Sequence, residues 1–127
     1  MTIQDHLTQA HHNEDLAQQL GRTPLEMYDW AITALFYSIL HFVDAYLLQY
    51  HNISPKGHTR RGKIPGRAEC VKQYLPQIYD AYKILYDASV RARYEGGYLG
   101  PGSAGDYQNL RDTEFTGARG FFRQLGW

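Results

Sequence analysis

Tyr37, His41 and Asp44 follow one another at steps of four and three residues, with Trp30 seven positions before them and Leu48 four after. That spacing stacks the five side chains along one side of an α-helix. The surrounding stretch, Tyr28–Leu48, is mostly apolar and contains neither Gly nor Pro. Two other segments hold groups of matching chemistry. One is the basic loop with His58, Arg60 and Arg61; the other is the run Arg91-Ala92-Arg93-Tyr94-Glu95. An imidazole titrates near neutrality and serves as a general base, so His41 and His58 are candidates for proton transfer. A guanidinium holds a phosphate with two parallel donors, so Arg60, Arg61, Arg91 and Arg93 are candidates for anion binding, with Tyr94 beside them.

A simpler reading covers the same residues. Polar groups on the core stripe of a helix need partners, because burying them unpaired is costly. Tyr37, His41 and Asp44 then form a polar core network that meets Arg91 or Arg93 and Ser89 from a later helix. An Asp44–Arg pair in it would be a charge-assisted hydrogen bond that fixes register. A metal held by His41, Asp44 and His58 is a third arrangement, but the carboxylate-rich ligand set of di-iron bundles is missing. No metal and no cofactor are expected. His11, His12, Glu14 and Asp15 lie together near the start, and they read as a solvated helix face with no second ligand pair at diagnostic spacing.

The elements that must position these groups are helical. Ile3, Leu7, Ala10, Ala17 and Leu20 mark a first amphipathic helix over about Thr2–Leu20. Gly21 can end it in the left-handed conformation. Thr23, Pro24 and Glu26 have the order of a capping box with Pro at the first helical position, which starts the second helix at about Pro24 and carries it to about Tyr50. Asn52 and Ser54-Pro55 stop it. The loop from Lys56 to Arg67 holds five of the thirteen basic residues and no acid, which leaves the rest of the chain at about −5. Such a loop can bind an anion or simply be solvated. A stripe of Ala68, Val71, Leu75, Ile78, Tyr82, Leu85, Ser89 and Ala92 then predicts a short helix before Pro76 and a longer one after it, ending near Glu95. Gly96–Gly105 reads as a flexible connection. Asp106 can cap a last helix whose apolar side is Tyr107, Leu110, Ala118, Phe121 or Phe122, and Leu125. Four main helices joined in this way predict an all-α, up-and-down antiparallel bundle of four to five helices in one domain, 1–127.

Bulk composition narrows the field. Net charge is zero, so the whole molecule does not advertise nucleic acid or a membrane. A polar start without an apolar core segment gives no sign of a signal peptide. Asp29, His41 and Asp44 interrupt the apolar run of the second helix, which argues against a membrane span. Cys70 is the single cysteine, so no internal disulfide forms, which fits a cytoplasmic protein. Eleven Tyr residues supply rings suited to interfaces and to stacking on bases.

The second-helix stretch Tyr28–Tyr46 with its Tyr37, His41 and Asp44, the loop His58-Thr59-Arg60-Arg61, and the run Tyr82–Tyr94 together resemble the HEPN superfamily. These helical-bundle domains are named for higher eukaryotes and prokaryotes and for nucleotide binding. The resemblance covers roughly Leu16–Tyr94. It implies an up-and-down bundle, often a homodimer. Many members are metal-independent ribonucleases of toxin–antitoxin, CRISPR and phage-defence systems, and others accompany a nucleotidyltransferase. The nuclease members carry an Arg, then four to six residues, then a His. No Arg in this chain has a His at that distance, so no catalytic role is carried over.

The reading that follows is a dimeric binding module. Its basic loop (56–67) and the 91–95 helix end engage a nucleotide, RNA or a partner protein, such as an antitoxin or a nucleotidyltransferase. The alternative is a ribonuclease with a rebuilt site, using His41 or His58 as base and Arg61, Arg91 and Arg93 on the phosphate.

Overall fold

The computed structural model describes residues 1–100 and 102–127. It is an all-α bundle. Helix α1 (Ile3–Leu20) opens with a true capping box: Thr2 Oγ1 accepts from Asp5 N at 3.0 Å, and Asp5 Oδ2 accepts from Thr2 N at 2.7 Å. Its buried face is built from small residues, Ala10 and Ala17. This lets α2 (Tyr28–His51) come close enough for Ser38 Oγ to donate to the Ala10 carbonyl at 2.9 Å. The two run antiparallel, since His6 meets His41 near one end and Met27 N reaches Leu20 O at the other.

The expected start of α2 is corrected. Helix begins at Tyr28, four residues after Pro24, and its first turn has no side-chain cap. Thr23 Oγ1 donates to the Glu26 carboxylate at 3.0 Å instead of capping backbone, and Glu26 sits at φ 49°. Two side chains satisfying each other leave the backbone without its cap. Gly21 is likewise not left-handed, at φ −81°. It is needed for space, because a Cβ there would lie 2.6 Å from the Tyr107 ring. At the other end Asn52 closes α2 in the left-handed region, φ 53°.

Pro76 does split the following helix. Helix α3 (Arg67–Tyr74) gives way to a 3₁₀ turn at Pro76–Ile78 and then to α4 (Tyr79–Val90), which ends in a π-helical turn, Arg91–Glu95. Val71, Leu75, Ile78, Tyr82, Leu85, Ser89 and Ala92 are all buried, as the stripe predicts. Gly96, at φ 63°, stops the run.

The last three residues of the flexible connection expected over 96–105 are helical. Pro101 lies outside the described residues, Tyr98 is buried, and helix α5 (Ser103–Leu110) has already begun at Ser103. Asp106 therefore sits inside the first turn and is not the cap, a place taken by Gly102. A second π turn, Arg111–Phe115, leads into α6 (Thr116–Arg123) with helical backbone angles at both joints. The wide turn shifts the phase of the apolar stripe, so Phe115 and Phe122 enter the core while Phe121 is half-buried.

Four rods thus pack up and down: α1, α2, α4 and the α5–α6 run. Helix α2 is the centre. It is long and apolar enough to cross a bilayer, but 72% of its most apolar window is buried within the protein, as in a core helix. Phe42 stacks on Phe122 with ring centroids 5.3 Å apart, and Phe36 packs against Tyr82 and Tyr86. Each fully buried ring of this kind contributes about 1.5–3 kcal/mol relative to exposure. Arg119 ties the last rod to the first through Glu14 at 2.9 Å and covers the Phe42 ring. Among the described residues no buried side-chain nitrogen or oxygen lacks a hydrogen-bond partner.

Candidate functional site

The column Tyr37–His41–Asp44 is not on the core stripe of α2. The core stripe is Ile32, Leu35, Phe36, Ile39, Phe42, Val43 and Leu47. The polar column lies beside it and lines a cavity of about 750 Å³, bounded by the start of α1, by α2, by the loop after it and by α4. Trp30, expected on the same column, is 52% exposed outside this cavity and marks a separate, more apolar groove with Met27.

Asp44 has a different partner from those expected. It is neither Arg91 nor Arg93 but Arg67, the first residue of α3, whose Nε and Nη2 donate to the two carboxylate oxygens at 2.7 and 2.9 Å. Both side chains are buried. Burial works against the Arg67 charge, but the hydrogen bonds and attraction of Asp44 outweigh it and hold the guanidinium above its ordinary value. Arg67 reaches this place because the loop is folded onto the start of α3. Arg67 N donates to Gly57 O at 2.9 Å and Ala68 N to His58 O at 3.2 Å. Gly66 permits the contact, since a Cβ there would meet backbone atoms of 58–60 at 2.5–2.7 Å.

The same fold of the loop brings His58 inward. Its ring lies over Tyr86, centroids 3.6 Å apart and planes 3° apart, and its Nδ1 is 3.2 Å from the Tyr82 hydroxyl. Burial lowers the His58 pKa, aided by Arg67 and Lys83 and opposed by Asp87. Burial also lowers the pKa of His41, against the pull of Asp44. Both imidazoles are therefore held in the neutral, basic form at pH 7. Tyr82, buried beneath the loop, has its phenol pushed well above its usual range by the same desolvation.

Arg93 projects from the π turn into the cavity. Nη1 donates to the Tyr37 hydroxyl at 2.9 Å, Nε to Ser89 O at 3.2 Å and Nη2 to Ser89 Oγ at 3.4 Å. This is the expected contact between Tyr37 and Arg93–Ser89. A guanidinium has five N–H groups, and these bonds leave two for a ligand. Tyr94 stands at the mouth, 74% exposed, with the Arg93 guanidinium 5.0 Å from its ring centroid. Lys56 also lines the cavity.

The other expected residues lie elsewhere. Arg60 pairs with Glu69 at 2.9 Å on the surface. Arg61 closes a tight turn with Ile64 and is exposed. Neither lines the cavity. Arg91 faces away, over the Tyr98 ring. Among the cavity residues, His6 and Tyr86 had no place in the functional reading of the sequence, and Lys56 entered it only as part of the basic loop. His6 had a signal, because it falls between Ile3 and Ala10 at steps of three and four on the buried side of α1. His11 keeps to the surface beside Glu14 at 3.7 Å.

No protein-family model, curated protein or solved structure matches this chain.

Proposed function

We propose that the chain is a HEPN-like binding module whose ligand site is this cavity, and that the ligand class is a nucleotide or the end of an RNA strand. One observation carries the reading: Arg93 keeps two N–H donors free in a cavity that also holds Lys56, with the exposed Tyr94 ring at its mouth. A phosphate asks for such donors and a base asks for such a ring. The cavity volume, about 750 Å³, is in the range for a small-molecule site. In this reading the protein acts in the cytoplasm, as a homodimer, alone or with an antitoxin or nucleotidyltransferase partner.

The test is a calorimetric titration with a nucleoside monophosphate, a triphosphate and a short RNA at two salt concentrations. Binding that weakens with salt and is lost in Arg93→Ala supports the reading. Equal binding by parent and variant removes it.

A second reading has its own observation. His41 and His58, both neutral at pH 7, share the cavity with Arg93, and a base beside a cation is what metal-independent RNA cleavage requires. A positioned base contributes about a hundred- to ten-thousand-fold, so cleavage with chelator present should fall by that order in His41→Ala or His58→Ala. No cleavage by the parent leaves binding alone.

A further inference from the structure

We propose that His6, His41 and Asp44 form a binding site for a first-row divalent cation, with Zn²⁺ as the reference case. One ligand atom of each residue lies within 4.8 Å of the others. The two imidazoles come from different helices and meet through Nδ1 atoms 3.1 Å apart. Two metal–nitrogen bonds of about 2.05 Å that span this 3.1 Å gap enclose an angle of about 98°, between the octahedral and tetrahedral values. The rings are therefore already at the bite distance of a shared ion.

Asp44 completes the set from one turn along α2, three residues after His41. Arg67 fixes its carboxylate with one hydrogen bond to each oxygen. Each oxygen keeps a further lone pair for a metal. This is the arrangement in which a second residue orients a metal-binding carboxylate. Without a cation, the 3.1 Å contact needs one Nδ1 to carry the proton and the other to accept it. With a cation, both Nδ1 atoms give up that role and the protons move to Nε2. Burial favours the neutral form of both rings, which is the form that binds metal.

Two imidazole nitrogens and one carboxylate oxygen suit borderline ions such as Zn²⁺, Fe²⁺, Co²⁺ and Ni²⁺ better than Mg²⁺ or Ca²⁺. All three side chains line the cavity, so the remaining coordination positions are open to water or to an anionic ligand beside Arg93. The inference stands on this geometry and not on the nucleotide reading.

The experiment uses the full chain, stripped with chelator and freed of it, without any nucleotide. Zn²⁺ binding is followed by calorimetry and Co²⁺ binding by its visible absorption. The expected result is one equivalent of metal, with affinity lowered about tenfold or more in His6→Ala. His41→Ala should behave alike. His6 lies near the exposed start of α1, so its variant tests the site even where the His41 variant is poorly folded. Absence of uptake overturns the proposal. So does uptake that survives His6→Ala unchanged, or uptake lost in a His11→Ala/His12→Ala variant, which would locate the metal on the outer face of α1.

Discussion

Asp44 and Arg67 form a bidentate pair, at 2.7 and 2.9 Å, with both side chains buried between α2 and the start of α3. The pair does two things. It satisfies the one acid on the inner half of α2, and it pins the loop that carries His58. Removing either partner leaves the other charged and buried, at a cost of about 3–5 kcal/mol. Asp44→Ala and Arg67→Ala should each lower the unfolding free energy obtained from urea titration by that amount. The Asp44→Leu/Arg67→Met double variant should lose much less, because no orphaned charge remains. Equal losses in single and double variants would mean that packing, not charge pairing, sets the stability here.

The loop cations divide by position. Arg93 keeps donors free inside the cavity, whereas Arg60 is paired with Glu69 and Arg61 closes an outward turn. Exposed pairs such as Arg60–Glu69 contribute little, about 0–1 kcal/mol. Arg60→Ala/Arg61→Ala should therefore leave nucleotide affinity within about twofold at physiological salt, where exposed charges more than about 8 Å away are largely screened. Arg93→Ala should cost a charge-assisted bond of about 1.5–3 kcal/mol, tenfold or more in affinity. If the loop variant loses binding and the Arg93 variant keeps it, the ligand sits on the loop and not in the cavity.

The periodic part of this architecture was legible in the sequence. A stripe at steps of three and four, Val71 to Ala92, needs only that the helix bury one face, so it survived even the break at Pro76. Partner choice was not legible. Spacing alone offers Asp44 the later Arg91 or Arg93, yet Arg67 takes it, because the loop folds back where Gly66 lets two backbone segments touch. Nothing in a local pattern encodes that path. The π turns are a second case. One widened turn at Arg111–Phe115 rephases everything after it, so the choice between Phe121 and Phe122 could not be made from spacing. His6 is a third. It lies close to His11 and His12 in sequence, although it alone of the three lines the cavity.

His58 gives a pH dependence with a definite sign. Its pKa in the fold lies below the ordinary imidazole value of 6.5, chiefly through burial, with Arg67 and Lys83 adding to the effect and Asp87 opposing it. A group with a depressed folded pKa binds protons more readily when unfolded. Its stabilising contribution is complete above about pH 6.5 and is lost as pH falls toward and through the folded pKa. His58→Phe keeps a ring on Tyr86 but cannot titrate. Unfolding midpoints measured from pH 7.5 to 5 should fall more for the parent than for His58→Phe. Parallel curves would show that the imidazole is equally easy to protonate in both states.

Gly66 is the residue on which the shape of the site turns, and the reason is space. Its φ is −73°, a value any residue adopts, so Ala meets no backbone penalty there. Gly is preferred to Ala at a helix N-cap, so the cap alone accounts for up to about 1 kcal/mol. The added Cβ, however, would lie 2.5 Å from the Thr59 carbonyl carbon, 2.6 Å from His58 O and 2.7 Å from Arg60 N. Those are backbone atoms, which cannot swing aside as a side chain does. The loop must lift, and with it the contacts Arg67 N to Gly57 O and Ala68 N to His58 O that seat both His58 and Arg67. Overpacking of this kind costs about 1–3 kcal/mol. Gly117 in α6 is the control, since a Cβ there meets nothing within 4 Å. Gly117→Ala should be neutral or stabilising by up to about 1 kcal/mol, because Ala is the better helix former. Gly66→Ala should lower the unfolding midpoint and weaken ligand binding together. A Gly66→Ala protein as stable as Gly117→Ala, with binding intact, would show that the loop tolerates a shift and does not hold the site.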